Sequence, residues 1–161
     1  MFWAAFAGAT RRTGLITLFG DPNSERGGAN SIVIRDLYLR ILPILMANED
    51  RNFRHDNAPT HTAYVLRDAL RDMEIEVMEW PPHSPDLTPI KNLWALMKAE
   101  IYKLRPDLIH MKNNEQTKAI LVETAQLAWD QLNLDQFKHL SETMPHRVQA
   151  IIDSQGWYTQ Y

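Results

Sequence analysis

The stretch Trp80-Pro81-Pro82-His83-Ser84-Pro85-Asp86-Leu87-Thr88-Pro89-Ile90-Lys91-Asn92-Leu93-Trp94 divides the chain into two kinds of sequence. Its prolines, at 81, 82, 85 and 89, keep the backbone out of regular structure until residue 89. Beyond them, Ile90, Leu93, Trp94, Met97 and Ile101 fall at i, i+3, i+4, i+7 and i+11, the spacing of one apolar helix face. Thr88 is a natural N-cap and Pro89 suits the first helical position. A capping box would place Glu or Gln three residues after Thr88, but this chain has Lys91 there. A cation in the first turn opposes the helix dipole, at a cost of about 0.3–1 kcal/mol. A local rule broken in this way marks a functional site or one that has lost its function.

Upstream of the loop, short strands alternate with helices. Met1–Gly8 reads as a buried strand that forms a loose antiparallel hairpin with Leu15–Phe19. A turn cluster from Asp21 to Gly28 closes it. From Ser31 to Met46, Ile34, Leu37, Tyr38, Ile41, Leu42 and Leu45 predict an amphipathic helix bent near its end by Pro43. Asn52–His55 and Ile75–Met78 are short strand candidates around a second helix whose face carries Ala63, Leu66, Leu70 and Met73.

Downstream everything is helical. Leu121, Ala125, Ala128 and Leu132 form one apolar face; Phe137, Leu140 and Met144 form another, which Pro145 is expected to stop. A last short helix at Val148–Asp153 ends near Gly156. The order is that of an α/β protein. Neither a repeat nor a linker divides it, so residues 1–161 are expected to form a single domain.

Composition narrows the function. Hydrophobic residues make up 45% of 161 residues and charged ones 23%, an ordinary globular balance. The formal charge of −3 excludes a strongly basic nucleic-acid coat but leaves room for a local groove. With no cysteine there is no disulfide framework and no thiolate chemistry. No apolar run reaches the roughly 18 residues a membrane helix needs, and Arg11 and Arg12 follow the apolar start where a signal peptide would place its charge first. An intracellular protein with no targeting signal is the expectation.

Asp56 is the first candidate for chemistry. At the end of a strand, a carboxylate can face a shared site and hold Mg²⁺ or Mn²⁺ through oxygen. Taken alone, Asp56-Asn57-Ala58-Pro59 also reads as an ordinary turn.

Two strings together go further. Asp56-Asn57-Ala58-Pro59-Thr60-His61-Thr62-Ala63 and Trp80 through Trp94 resemble the catalytic core of mariner-type DDE transposases, and the fungal branch most. Met1-Phe2-Trp3-Ala4-Ala5-Phe6, Met144-Pro145-His146-Arg147 and Gly156-Trp157-Tyr158-Thr159-Gln160-Tyr161 extend the resemblance over essentially the whole chain. It implies an α/β, ribonuclease-H-like mixed sheet flanked by helices, with three carboxylates around two Mg²⁺ or Mn²⁺ ions for DNA cleavage and strand transfer. Asp56 matches the second acid. Counting the family's thirty-four intervening residues, the third falls on Lys91, since 91 − 56 − 1 = 34.

The first acid belongs to a strand upstream of Met1. This chain is therefore expected to be a truncated catalytic domain that lacks the central first strand and the family's DNA-binding region. Its Met1 falls on an interior methionine of the second strand, as in a decayed copy. A lysine offers a metal neither charge nor lone pairs, so the domain is expected to bind no metal and to be inactive. Lys91 is expected within ion-pair distance of Asp56, its ammonium replacing the metal's charge; a solvated lysine is the alternative.

Other readings are weaker. A nucleic-acid-binding or transposase-interacting module without catalysis is the rival, with DNA, a second copy or full-length transposase as partner through an open sheet edge. The family's location is nuclear. An active nuclease would need substitute carboxylates such as Glu49, Asp50 or Asp86. His55, His61 and His83 fit no zinc spacing. Trp80, Trp94 and Trp129 read as core, and Arg11, Arg12, Lys98, Lys103 and Arg105 as scattered surface charge before a DNA track.

Overall fold

The computed structural model describes residues 1–8, 11–24, 27–47, 52–79, 81 and 84–161. They fall into two compact units, one of Met1 with 18–84 and one of 2–17 with 85–161. Trp80, His83, Glu49 and Asp50 lie outside the described residues.

The first unit is built on α1, Ser31–Met46, which has the bounds that the periodicity predicts. Asn30 caps it, its Oδ1 accepting from the amides of Ile32 at 3.0 Å and Val33 at 3.1 Å. Ile34, Leu37, Tyr38 and Leu42 are buried along one face. The helix runs through Pro43 to Met46. Ahead of α1, the Asp21 amide donates to the Gly28 carbonyl. The crossing is tight: a Cβ on Gly20 would meet the Gly28 nitrogen at 2.5 Å.

The expected second helix is two. Ala63, with ψ at 142°, separates α2, Pro59–Thr62, from α3, Tyr64–Asp72. Leu66 and Leu70 are buried as the pattern required, because the apolar spacing belongs to α3. The strands expected at Asn52–His55 and Ile75–Met78 shrink to one parallel bridge, Phe53 with Val77. The Met78 amide donates to Phe53 O at 2.8 Å.

The second unit opens with an antiparallel ribbon. Strands β1, Phe2–Trp3, and β4, Ile16–Thr17, pair as Phe2 with Thr17 and Trp3 with Ile16. Strands β2, Phe6–Ala7, and β3, Arg11–Arg12, pair as Phe6 with Arg12 and Ala7 with Arg11. Between the pairs, one arm contributes Ala4 and Ala5 and the other Thr13, Gly14 and Leu15. The extra residue is a bulge. Thr13 bridges it, its amide donating to Ala5 O while its Oγ1 accepts from the Ala5 amide, both at 2.9 Å. The continuous buried strand expected at Met1–Gly8 is thus two half-buried pieces. Among the described residues the sheets have two strands each, not the mixed sheet the sequence reading anticipates.

Helices follow: α4, Ile90–Leu104; a 3-10 turn, Pro106–His110; α5, Glu115–Asp130; α6, Leu134–Glu142; and α7, Met144–Asp153. Pro145 does not stop a helix. It sits in the first turn of α7, where a missing amide costs nothing. Leu93, Ala125, Ala128, Trp129 and Phe137 are fully buried, whereas Leu121 is exposed and Thr124 takes its place inside. The Thr124 hydroxyl donates to Ile120 O at 2.7 Å, which makes a threonine tolerable there. Trp94 stacks on Trp129 at 5.2 Å, so both are core side chains as expected.

Arg12 is no part of a charged track. Its guanidinium donates to the carbonyls of Trp129, Asp130 and Leu132 at 3.1–3.3 Å and lies 5.0 Å from the Phe137 ring centroid. It thereby adds a donor at the end of α5, where Trp129 O already accepts from the Leu132 amide, and binds Leu132 O just beyond the helix.

Candidate functional site

Asp56 lies three residues beyond the Phe53 bridge, in the loop ahead of α2. Its Oδ1 accepts from the Ala58 amide at 3.1 Å, an Asx turn that leads Pro59 into the first position of α2. The short α2 then brings His61 back to the same oxygen, with Nδ1 at 2.6 Å. An ionised carboxylate only accepts, so this geometry makes Nδ1 the protonated nitrogen. Ala63 ends α2 one residue after Thr62, and that break gives His61 a turn of its own.

Behind Asp56 stands a ring cluster that sequence reading missed. His61 stacks on His55 with centroids 5.0 Å apart and on Tyr38 at 6.3 Å. Tyr38 meets Phe53 edge-on at 5.3 Å, and its hydroxyl lies 3.4 Å from His55 Nδ1. Tyr38 had been predicted only as a core residue of α1. No spacing rule links it to residues 53–61.

Electrostatics follow from this packing. Partial burial works against the Asp56 charge, but the Ala58 amide and His61 outweigh it and hold the carboxyl below its ordinary range. Burial, with His61 adding to it, pushes His55 down from 6.5 to about 4. His55 is therefore neutral when folded and protonates in the unfolded chain below about 6.5. Since the unfolded state binds the extra proton, its contribution is full above pH 6.5 and is lost as pH falls to about 4. His55→Gln should flatten the decline of the urea midpoint between pH 6.5 and 4. An unchanged slope in the variant would rule out His55 as its source.

Lys91 sits, exposed, on the first turn of α4. Pro89, with φ −62° and ψ −25°, is already helical, and the Lys91 amide donates to Thr88 O at 3.0 Å. Pro89 nonetheless takes the N-cap position expected of Thr88, so Lys91 is the second helical residue and not the third. With Phe2, Trp94, Ala95, Met97 and Lys98 it borders a shallow depression of about 530 Å³. Asp86, a conceivable substitute ligand, has its Oδ2 engaged by Thr159 at 2.7 Å. Lys103 pairs with Glu100 and Arg105 with Asp107, both exposed.

A family model described as DDE superfamily endonuclease matches residues 38–118, which span Asp56 and Lys91. The chain belongs to the DDE superfamily of endonucleases. This DDE chain is 30% identical over 109 residues to the Tc1 transposase of Caenorhabditis elegans, covering 68% of the chain and 37% of the relative. To the Tcb2 transposase of Caenorhabditis briggsae it is 26% identical over 168 residues, covering 100% and 54%. The chain spans between 29% and 54% of the length of the curated relatives it matches here. Among solved structures, the strand transfer complex of Mos1, a mariner transposase of Drosophila mauritiana, aligns with a TM-score of 0.59 at 20% identity over 93% of this chain and 40% of that one. The Mos1 catalytic domain solved with raltegravir and Mn aligns at 0.57 and 18%, over 99% and 82%. The DDE chain shares that fold.

Hard divalent cations need several oxygen ligands. Asp56 offers one carboxylate with an oxygen already taken, and the Arg54 guanidinium is near enough to feel its charge. Among the described residues no three histidine or acidic side chains converge. Among the described residues, the donor set around Asp56 does not fit a divalent metal. No helix among the described residues is long and apolar enough to cross a membrane.

Proposed function

We propose that the chain is a ribonuclease-H-like transposase catalytic domain of the fungal mariner branch, residues 1–161 acting as one domain, that has lost DNA cleavage and strand transfer. The observation that carries this is the lysine on the first turn of α4. The family's pattern places an acid there, and the retained carboxylate of Asp56 is tied to His61 and Ala58 instead. In this reading Lys91 takes the place of the family's third acid and brings positive charge where the family carries negative, and DNA phosphate is the polyanion that such a change favours.

DNA remains the ligand class in this reading, and the nucleus its place of action. Association with a second copy or a full-length transposase would run along the ribbon, where, among the described residues, each strand pairs on one side only.

The test is supercoiled plasmid incubated with the purified chain and millimolar Mn²⁺. No nicking above that of an Asp56→Asn control is expected. Metal-dependent nicking that Asp56→Asn abolishes would overturn the reading.

A further inference from the structure

The resemblance also takes in Met144 to Arg147 and Gly156 to Tyr161, yet sequence reading gave them no role. In the second unit the two strings touch. Arg147, only 3% exposed, reaches from α7 with its forked head. Its Nη1 donates to Asp86 O at 2.7 Å and its Nη2 to Asn92 Oδ1 at 3.2 Å, while Nε donates to Thr143 Oγ1 at 3.0 Å. Position 91 lies between the two gripped residues, so one guanidinium brackets it on both sides.

The tail completes the grip. Gln155 and Gly156, with φ of 54° and 82°, turn the chain out of α7, and the Gly156 amide closes onto Ile151 O at 2.9 Å. This positive-φ exit is the αL helix ending that glycine favours. Trp157 and Tyr158 then point into solvent, 74% and 83% exposed. Thr159 instead binds Asp86, its hydroxyl at 2.7 Å and its amide at 3.2 Å from Oδ2. Tyr161 lies over the Arg147 guanidinium, 4.7 Å from it. The tail is held by polar contacts more than by apolar burial, so it can open without unfolding the core.

We propose that Gly156–Tyr161 is a latch that fixes the first turn of α4, with Arg147 and Thr159 as positioning residues for position 91. In an active relative of this domain, that position would carry the third acid, whose placement must be held to a fraction of an ångström. Arginine suits this place because its planar fork presents donors on three separate nitrogens in fixed directions, where a lysine has one nitrogen. The link to catalysis rests on the reading of position 91 given above; the latch itself does not.

Hydrogen exchange on the full chain, without DNA or metal, tests it. Thr159→Val should speed exchange of the amides at 87–93 about tenfold, the effect of one lost charge-assisted hydrogen bond. Amides of α5 should keep their wild-type protection. Thr159→Ser should restore the wild-type pattern, because it returns the hydroxyl to Asp86. Arg147→Lys should act on the same amides more strongly. If it does not fold, Thr159→Val and its serine rescue decide. Unchanged exchange at 87–93 in Thr159→Val, or an increase shared equally by α5 and α6, would overturn the latch. Plasmid nicking by the wild type would overturn the proposed loss of activity and leave this result standing.

Discussion

Trp129→Ala should remove most of the stability of the helical unit, about 3–5 kcal/mol. The indole is fully buried and stacks on Trp94, and it meets Phe137 edge-on at 5.6 Å. Its Nε1–H donates to Thr13 O at 3.0 Å, tying α5 to the bulge of the ribbon. Alanine would leave a cavity and an unpaired carbonyl at once. Typical domains have only about 5–15 kcal/mol in total, so such a loss is close to unfolding. Trp129→Phe separates the two effects: it keeps a ring and loses the hydrogen bond, at about 1–2 kcal/mol plus a smaller packing cost. Trp157→Ala, at a 74% exposed site, should change stability by no more than about 0.5 kcal/mol. Urea unfolding of the three variants checks this. A Trp129→Ala midpoint near that of Trp157→Ala would mean that this core is not what holds the unit together.

Residues with a strong period were legible without coordinates. The faces of α1 and α4 follow from side-chain spacing, which acts within a few residues, whereas the cap of α4 fell one residue later than expected, on Pro89 and not Thr88. Ala63 was not legible, because alanine favours a helix and only the pull of His61 toward Asp56 accompanies the break. The short strands failed for a related reason. Phe53 and Val77 make a single bridge, and a run of apolar residues does not reveal how many of them find a partner. Pro145 was misread because a proline that ends one helix and one that begins the next have the same spacing to a preceding apolar face. At the candidate site, the roles of Asp56 and Lys91 were named from the two strings that resemble the family and not from any local rule. Tyr38, Arg147 and Thr159 act at distances of 17 to 73 residues, and nothing local to them announces a partner.

Lys91→Glu should restore a response to metal. Two effects are expected, and they separate cleanly. The first needs no metal: a glutamate in place of a lysine on the first turn turns an unfavourable interaction with the helix dipole into a favourable one, worth about 1 kcal/mol. That gain, roughly 2–4 °C in Tm for a chain of this size, should appear in EDTA. The second needs Asp56. In the proposed reading positions 56 and 91 serve one metal, so a second carboxylate should let Mn²⁺ bind the folded state alone and raise stability as RT ln(1 + [L]/Kd), about 2.7 kcal/mol at a hundredfold excess over Kd. His61 must give up Asp56 Oδ1 for this, which lowers the affinity but leaves the sign unchanged. The wild-type Tm should be the same with and without millimolar Mn²⁺. Lys91→Glu should rise further with Mn²⁺, and Lys91→Glu with Asp56→Asn should retain only the EDTA gain. If Mn²⁺ raises the wild type as much as the variant, a metal site exists that does not depend on position 91, and the lysine is no lesion. If the variant gains in EDTA but ignores Mn²⁺, residues 56 and 91 do not share a site, and Lys91 cannot be the charge that replaces the metal.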